Sequence, residues 1–489
     1  MTPLELSALN LAAAWPIYCV AIGALVLLLL EALRPGSGRV HGPWIAALSL
    51  LASLVLTILQ WPGAGPAFFE MTAADSYALL LWALFAAVAL LVVMLSEAYA
   101  TDWREAVGSG DYFILLLIAT SGLMLMSAGT NLLVIFLGLE ALSVPIYVLA
   151  GSLREQPRSG EAALKYLLLG AFASGFLLYG IALIYGATGS FDLIGAASLA
   201  AAEPGNPLLL AGVALVVVGF GFKAALAPFH MWAPDVYQGA PAAITAFMSV
   251  GPKAAALAAL ARVLVGSLPE LAASWGGALA ILAAASMTVG NVAAVAQSDV
   301  KRMLAYSSVA HAGYLLVAVV AASPAGTEAL LYYLAAYAAM NLGAFGVVLM
   351  AAPGRSAAEE AHTELADYMG LGWSHPWLAL AMAAFMFSLA GIPPTAGFVA
   401  KFYAFNAAVQ SGYVWLAVVG VLNSLVSVYF YLRLTVFMYM REPEGVINPL
   451  NPPPAASLAI ACCLLATLAL GLFPQPLLEL ARQGARLLF

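Results

Sequence analysis

Charge is the scarcest commodity in this chain: only 8% of its 489 residues are Asp, Glu, Lys or Arg, against 64% hydrophobic. With a mean hydropathy of +0.99, that composition excludes an ordinary soluble domain and leaves a polytopic membrane protein. Cysteine is nearly absent. Cys19, Cys462 and Cys463 all lie in apolar runs without C-x-x-C spacing, which argues against an iron–sulfur cluster or a zinc site and reads as small core residues. The five histidines, His41, His230, His311, His362 and His375, form no pair of the kind a membrane haem needs. No G-x-G-x-x-G lies between a strand and a helix, and there is no Walker loop, so no dinucleotide or nucleotide site is expected here. The net charge of −7 resides on a small exposed surface and gives no reason to expect nucleic acid.

What is present is hydrophobic length. A spanning helix needs about 20 mainly apolar residues. Fourteen such runs occur, near 12–33, 44–61, 76–96, 111–128, 130–151, 161–186, 207–228, 241–265, 273–296, 302–322, 327–351, 376–405, 413–440 and 455–474. The first has no basic n-region and no persuasive cleavage site, and reads as a retained helix. Positive charge collects in cytoplasmic loops. With the N-terminus outside, Arg34, Arg39, Arg104, Arg154, Arg158, Lys301, Arg302, Arg355 and Arg441 fall on the cytoplasmic side, and only Arg482 and Arg486 in the tail disagree. Both termini are therefore expected on the outer, periplasm-like side. Arg262 and Arg433, near span ends, read as snorkelling side chains, and Lys301 with Arg302 as a cytoplasmic positive-inside anchor, with a channel role as the alternative.

Glu140, Lys223, Lys253 and Lys401 are different, because they stand well inside apolar runs. An ionisable group at that depth is disfavoured by about 2.5–3.5 kcal/mol on insertion scales, and such groups are usually kept for ion or proton movement. Proline placement sharpens the point. GFGFKAALAPFHMWAPDVYQGAP (219–241) puts Lys223 five residues before Pro228, and LAGIPPTAGFVAKF (389–402) puts Lys401 seven residues after Pro394. A proline inside a span frees backbone carbonyls that must be buried or face water, and a broken helix beside a buried cation is a transporter device. The two breaks fall in the fourth span of two five-span blocks, 111–265 and 273–440. Two copies of an odd-span unit insert in opposite senses, giving an inverted repeat. The expected fold is all-α, with three N-terminal helices in 1–110, the two repeats, and a last helix with its tail in 441–489.

FLGLEALSVPIYVLAG (136–151), EAALKYLLLGAFASGFLLYGIALIYGATGS (161–190), the two broken segments and SDVKRMLAYSSVAHAGY (298–314) together resemble the antiporter-like membrane subunits of bacterial complex I, the proton-pumping NADH:quinone oxidoreductase. The resemblance is strong over about 111 to 440 and weak in the flanks. It implies that Glu140 pairs with Lys223, that Lys253 is the central relay, and that Lys401 faces the exit half-channel. Lysine suits such a task because burial disfavours its ammonium form while a nearby carboxylate restores it.

Lys165, four residues after Glu161, is either part of a helix-stabilising pair or, as the resemblance implies, close to the proton axis. His311 either bridges Lys253 and Lys401 through water or is satisfied by a carbonyl, and His230 reads as a structural loop group. The resemblance further implies that NADH, FMN, iron–sulfur clusters and quinone belong to partner subunits, that other membrane and hydrophilic subunits and phospholipid surround the chain, and that it lies in a bacterial inner membrane. Family members with glutamate at the position of Lys401, or with a long lateral helix after 474, match less well. A subunit of a related cation/proton antiporter and a membrane scaffold with relic charges are the alternative readings.

Overall fold

The computed structural model describes residues 9–96, 109–153, 156–351, 363–442 and 453–488. Arg104, Arg154, Arg355 and His362 lie outside them. Among the described residues twelve helices are long and apolar enough to cross a membrane. They are spans one to six (Leu11–Leu33, Gly38–Leu59, Ser76–Leu95, Gly110–Ala128, Leu132–Ala150, Pro157–Thr188), eight to eleven (Ala242–Ser267, Pro269–Val295, Val300–Val320, Pro324–Ala351), thirteen (Val414–Met440) and fourteen (Pro454–Leu472). Two broken helices complete the set of fourteen. Span seven is Pro207–Lys223 followed by Ala233–Gly239, and span twelve is Pro376–Ala390 followed by Ala396–Gln410.

Small elements escape the all-α expectation. Strands β1 (Gly65–Ala67) and β2 (Thr72–Ala74) form an antiparallel hairpin between spans two and three. Its run of Gly and Pro is too short and too polar to register against twenty-residue apolar windows. The tail folds as a surface helix, Gln475–Ala485. There Arg482, one of the two residues that disagree with the charge bias, donates to Glu328 at 3.2 and 3.3 Å, which offsets its charge.

Spans eight, ten and eleven are buried almost all round, as a helix apolar on every side should be. The Ala- and Gly-rich sequence of span eight lets its neighbours approach closely, the usual basis of helix association in lipid. Spans one, two, six and thirteen instead leave long rows of Leu, Val, Phe and Tyr exposed. Cys463 is buried, but Cys462 is exposed on an apolar face, so only the former is a core residue.

The two five-span blocks repeat three backbone devices beyond their broken helices. First, Leu132 N–H donates to Phe191 O at 2.9 Å and Leu193 N–H to Thr130 O at 3.0 Å, tying the start of span five to the loop before span seven. In the second block Val300 N–H donates to Thr363 O at 2.7 Å and Leu365 N–H to Ser298 O at 2.8 Å, tying the start of span ten to the loop before span twelve. Second, Asn131 and Asp299 cap these corresponding helices through their side chains. Third, an arginine on the last span of each block reaches the carbonyl end of the first. Arg262 Nε donates to Ser127 O at 3.1 Å, and Arg433 donates to Val295 O at 2.9 Å and also to Gln297 O. Five spans separate each pair, so the copies run in opposite senses through the membrane.

Those arginines are not snorkelling chains. Arg262 is 5% exposed and makes a two-pronged salt bridge to Asp75 at 2.8 and 2.9 Å, beneath the ring of Tyr77. Guanidinium geometry explains the choice, since its rigid fork matches a carboxylate and has a donor left for a carbonyl.

Candidate functional site

Lys223 closes the first half of span seven, where the helix stops. It is 3% exposed, and its Nζ lies 5.3 Å from the ring centre of Tyr147 and 5.2 Å from that of Tyr166. Tyr166 in turn stacks on Trp232, centroids 4.3 Å apart, and Trp232 donates its indole N–H to Phe222 O at 3.1 Å, bridging the break. The aromatic faces stabilise a cation that has left water behind. Gly170 makes this possible, because a Cβ there would stand 2.1 Å from the Tyr147 hydroxyl.

A small pocket of about 10 Å³, close to the room a single water needs, lies against Lys223, walled by Leu139, Tyr147, Ser174 and Phe222 among others. Glu140 borders it through Ser174, whose hydroxyl donates to Oε1 at 2.5 Å. Glu140 and Lys223 form no salt bridge within 4.0 Å. The carboxylate is half-buried, on a helix whose Leu137 and Val144 are exposed. The pair expected from the sequence is thus open here, with the serine holding the carboxylate.

The second group is continuous. Lys253, 1% exposed, donates to both the carbonyl and the hydroxyl of Ser308 on span ten and lies 5.5 Å from the Tyr337 ring centre. Tyr337 stacks on His311 at 5.1 Å. His311, also 1% exposed, has the Tyr333 hydroxyl 3.0 Å from Nδ1 and the Tyr431 hydroxyl 3.3 Å from Nε2. It contacts Tyr314 at 5.6 Å, and Lys401 Nζ lies 4.6 Å from that same ring centre. Lys401 donates to Leu389 O and Ala390 O, both at 3.0 Å, at the carboxyl end of the first half of span twelve. Those carbonyls are free because the helix breaks at Gly391, whose φ of +88° suits glycine. The negative end of the helix dipole faces the ammonium group.

Lys253, His311 and Lys401 are therefore brought together, with tyrosine rings between them. Glu140 and Lys223 share a pocket in the other block. From Lys223 the aromatic series Tyr166, Trp232, Tyr237 leads towards Lys253, ending where the Tyr237 hydroxyl meets Met248 O at 3.4 Å.

Lys165 lies apart. Its ammonium is 2.6 Å from Glu161 and 2.7 Å from Asp235, and Asp235 also takes Arg302 at 2.6 Å. This network joins spans six, seven and ten near the basic face. Half-exposed Lys165 thus has both the helical neighbour and a partner on the broken span. His230 is half-buried beside Tyr306, inside the break. Lys301 is buried inside the protein, 2% exposed, and donates to Ala240 O at 2.6 Å. Its place one residue before Arg302 made it look superficial, but successive helix residues point about 100° apart. Asp235, Ser174, Ser308 and the tyrosines were not singled out by sequence. Only Asp235 carried a signal, as a carboxylate in the proline-rich stretch after a break.

The chain matches the profile of a family described as NADH:quinone oxidoreductase/Mrp antiporter, transmembrane, over residues 129–427, more than half its length. It is 44% identical over 482 residues to NADH-quinone oxidoreductase subunit N of Trichlorobacter lovleyi, covering 98% of each chain, and 45% identical over 478 residues to that of Chloroflexus aggregans, covering 96% of each. A chain of respiratory complex I from Thermus thermophilus with bound aureothin superposes with a TM-score of 0.80 at 38% identity, covering 95% of this chain and 98% of that one. A chain of the Mrp complex from Dietzia superposes with a TM-score of 0.85 over 97% of each at 23% identity, which shows a common fold. On these grounds the chain belongs to the NADH-quinone oxidoreductase subunit N family of antiporter-like membrane proteins.

Proposed function

We propose that this chain is a proton-translocating membrane subunit of NADH:quinone oxidoreductase, moving protons through Glu140, Lys223, Lys253, His311 and Lys401. The observation that carries this reading is the set of buried side chains Lys223, Lys253, His311 and Lys401, in which Lys223 and Lys401 stand at helix breaks and every member lies against a tyrosine ring. Each lysine has a way to be held in either protonation state. Lys223 faces rings and a pocket, Lys253 a serine, and Lys401 two carbonyls. A carboxylate at the edge of the pocket is suited to tune Lys223: nearer, it favours the ammonium, and farther, it favours release. Lys165, held by Glu161 and Asp235, serves the approach from the basic face. Glu140 opens the series on a face that a neighbouring subunit or lipid covers.

NADH, FMN, iron–sulfur clusters and quinone are assigned to partner membrane and hydrophilic subunits, and phospholipid covers the exposed apolar rows. The charge bias supports a bacterial inner-membrane protein with both termini periplasmic. Chains retained after mild detergent extraction test the assembly. Recovery with an NADH-oxidising arm is the expected result, and recovery with cation/proton antiporter subunits alone would favour the alternative. Proton uptake in reconstituted vesicles tests the relay. Unchanged pumping per electron after both Glu140→Ala and Lys223→Ala would leave a scaffold.

A further inference from the structure

Lys301 is a buried cation that the relay does not use. It stands in the first turn of span ten, and its ammonium reaches the carbonyl of Ala240, which ends the second half of broken span seven. The neighbouring Arg302 grips the same half-helix on another side, donating to Asp235 at 2.6 Å and to Gln238 at 3.3 Å. Between these attachments lies Tyr237, 1% exposed, whose carbonyl accepts from Thr245 at 3.1 Å and whose hydroxyl meets Met248 O on the span that carries Lys253. A seven-residue half-helix has too few internal hydrogen bonds to hold itself in register. Its position must come from such contacts.

The repeat shows that the scaffold does not itself require a lysine there. Lys301 lies two residues after the capping Asp299. The residue two after the corresponding cap Asn131 is Leu133, which is 36% exposed. The contact from its ammonium to Ala240 is to a carbonyl, which is a hydrogen-bond acceptor and carries no proton onward.

We propose that Lys301 is a positioning residue for proton access to Lys253, clamping the half-helix Ala233–Gly239 to span ten together with Arg302, and thereby setting Tyr237 against span eight. The clamp is a statement about local order, and its effect on pumping rests on the relay reading above.

The test uses the assembled complex carrying Lys301→Met or Lys301→Arg. Amide exchange of 233–241 should rise about tenfold in the methionine variant, the factor expected for losing one charge-assisted hydrogen bond, with exchange elsewhere unchanged. Protons pumped per electron should fall by at least about half, while NADH reduction of an artificial acceptor that bypasses quinone stays at the wild-type rate. Arginine should restore both, because it keeps a donor and does not release its proton at working pH. Should the methionine variant fail to assemble, Lys301→Gln is read by the same criteria. Wild-type exchange at 233–241 in the methionine variant overturns the clamp, as does loosening spread through all spans. Wild-type exchange with lost pumping in the arginine variant overturns it in favour of a proton-carrying Lys301. Unchanged pumping in Lys253→Ala overturns the relay reading but leaves the exchange result standing.

Discussion

Lys223 and Lys401 stand on opposite sides of their helix breaks in sequence, yet both side chains come to the carboxyl end of a first half-helix. Lys223 is itself the last residue of Pro207–Lys223, while Lys401 reaches back across its break to the last carbonyls of Pro376–Ala390. What surrounds them differs. The first lysine has two rings, a pocket and a carboxylate beyond ion-pair distance. The second has two backbone carbonyls and one ring. The same broken-helix backbone thus supports one cation that can respond to a moving charge and another whose surroundings are fixed.

The largest effect should come from emptying the responsive site. Lys223→Ala is expected to lower proton uptake in reconstituted vesicles to a tenth or less, which corresponds to about 1.4 kcal/mol or more at the limiting step. Glu140→Ala should act in the same direction and less severely, since Ser174 rather than Lys223 holds it here. Reduction of an artificial acceptor that bypasses quinone should continue at the wild-type rate in both. If the two variants lost pumping only through failed assembly, seen as missing subunits on native gels, the comparison of the lysines would lose its footing.

Lys401 sharpens the contrast through three substitutions. Alanine should reduce uptake severalfold. Glutamate keeps a titratable group and should recover part of it, with the qualification that its anion would face Leu389 O and Ala390 O, so its neutral form is favoured there. Arginine suits the two carbonyls but stays charged at any working pH. Uptake by the arginine variant equal to wild type would mean that the second site needs a fixed charge only.

Much of this was readable in the residues, and the reasons are physical. Long apolar runs, prolines within them and isolated lysines each have large energetic consequences in lipid, so the spans, the two breaks and the four charges set well inside apolar runs stood out. The repeat was visible only as the position of the breaks. Its arginine caps and strand-like ties use backbone carbonyls, which any sequence provides, so Arg262 and Arg433 looked like span-end side chains. The burial of Lys301 was hidden for a related reason: hydropathy along the chain locates a residue in depth but not around the helix axis. Tyr147, Tyr314 and Tyr337 were hidden among twenty tyrosines, most of which an interfacial belt would explain.

The arginines offer a structural comparison of smaller size. Arg262→Ala removes a two-pronged bridge and leaves Asp75, 19% exposed at its side chain, facing a largely apolar interior. The expected loss is about 3 kcal/mol, at the low end for breaking a buried pair. Arg433→Ala removes donors from two carbonyls and leaves no charge behind, so about 1–2 kcal/mol is expected. Thermal unfolding of the purified complex should rank them in that order. An equal shift would show that the carbonyl contacts common to both blocks, and not the Asp75 bridge, dominate.

The finest distinction concerns the ring over Lys223. An alanine at Gly170 would bring its Cβ to 2.1 Å from the Tyr147 hydroxyl and 2.7 Å from the ring carbon that bears it, so the ring must move. Its cation–π contact with Lys223 would lose part of the roughly 2 kcal/mol that such contacts contribute at desolvated sites. A roughly two- to threefold fall in proton uptake is expected, with the full set of subunits retained on native gels. Gly186 on the same span is the control, since a Cβ there meets nothing within 4 Å. Gly186→Ala should pump as wild type. If Gly170→Ala matched it, Lys223 would owe its behaviour to the pocket and Glu140 alone, and the rings would be packing. If Gly170→Ala instead fell as far as Lys223→Ala, the ring would be a condition for holding the proton at all, and the responsive site would be as tightly built as its counterpart at Lys401.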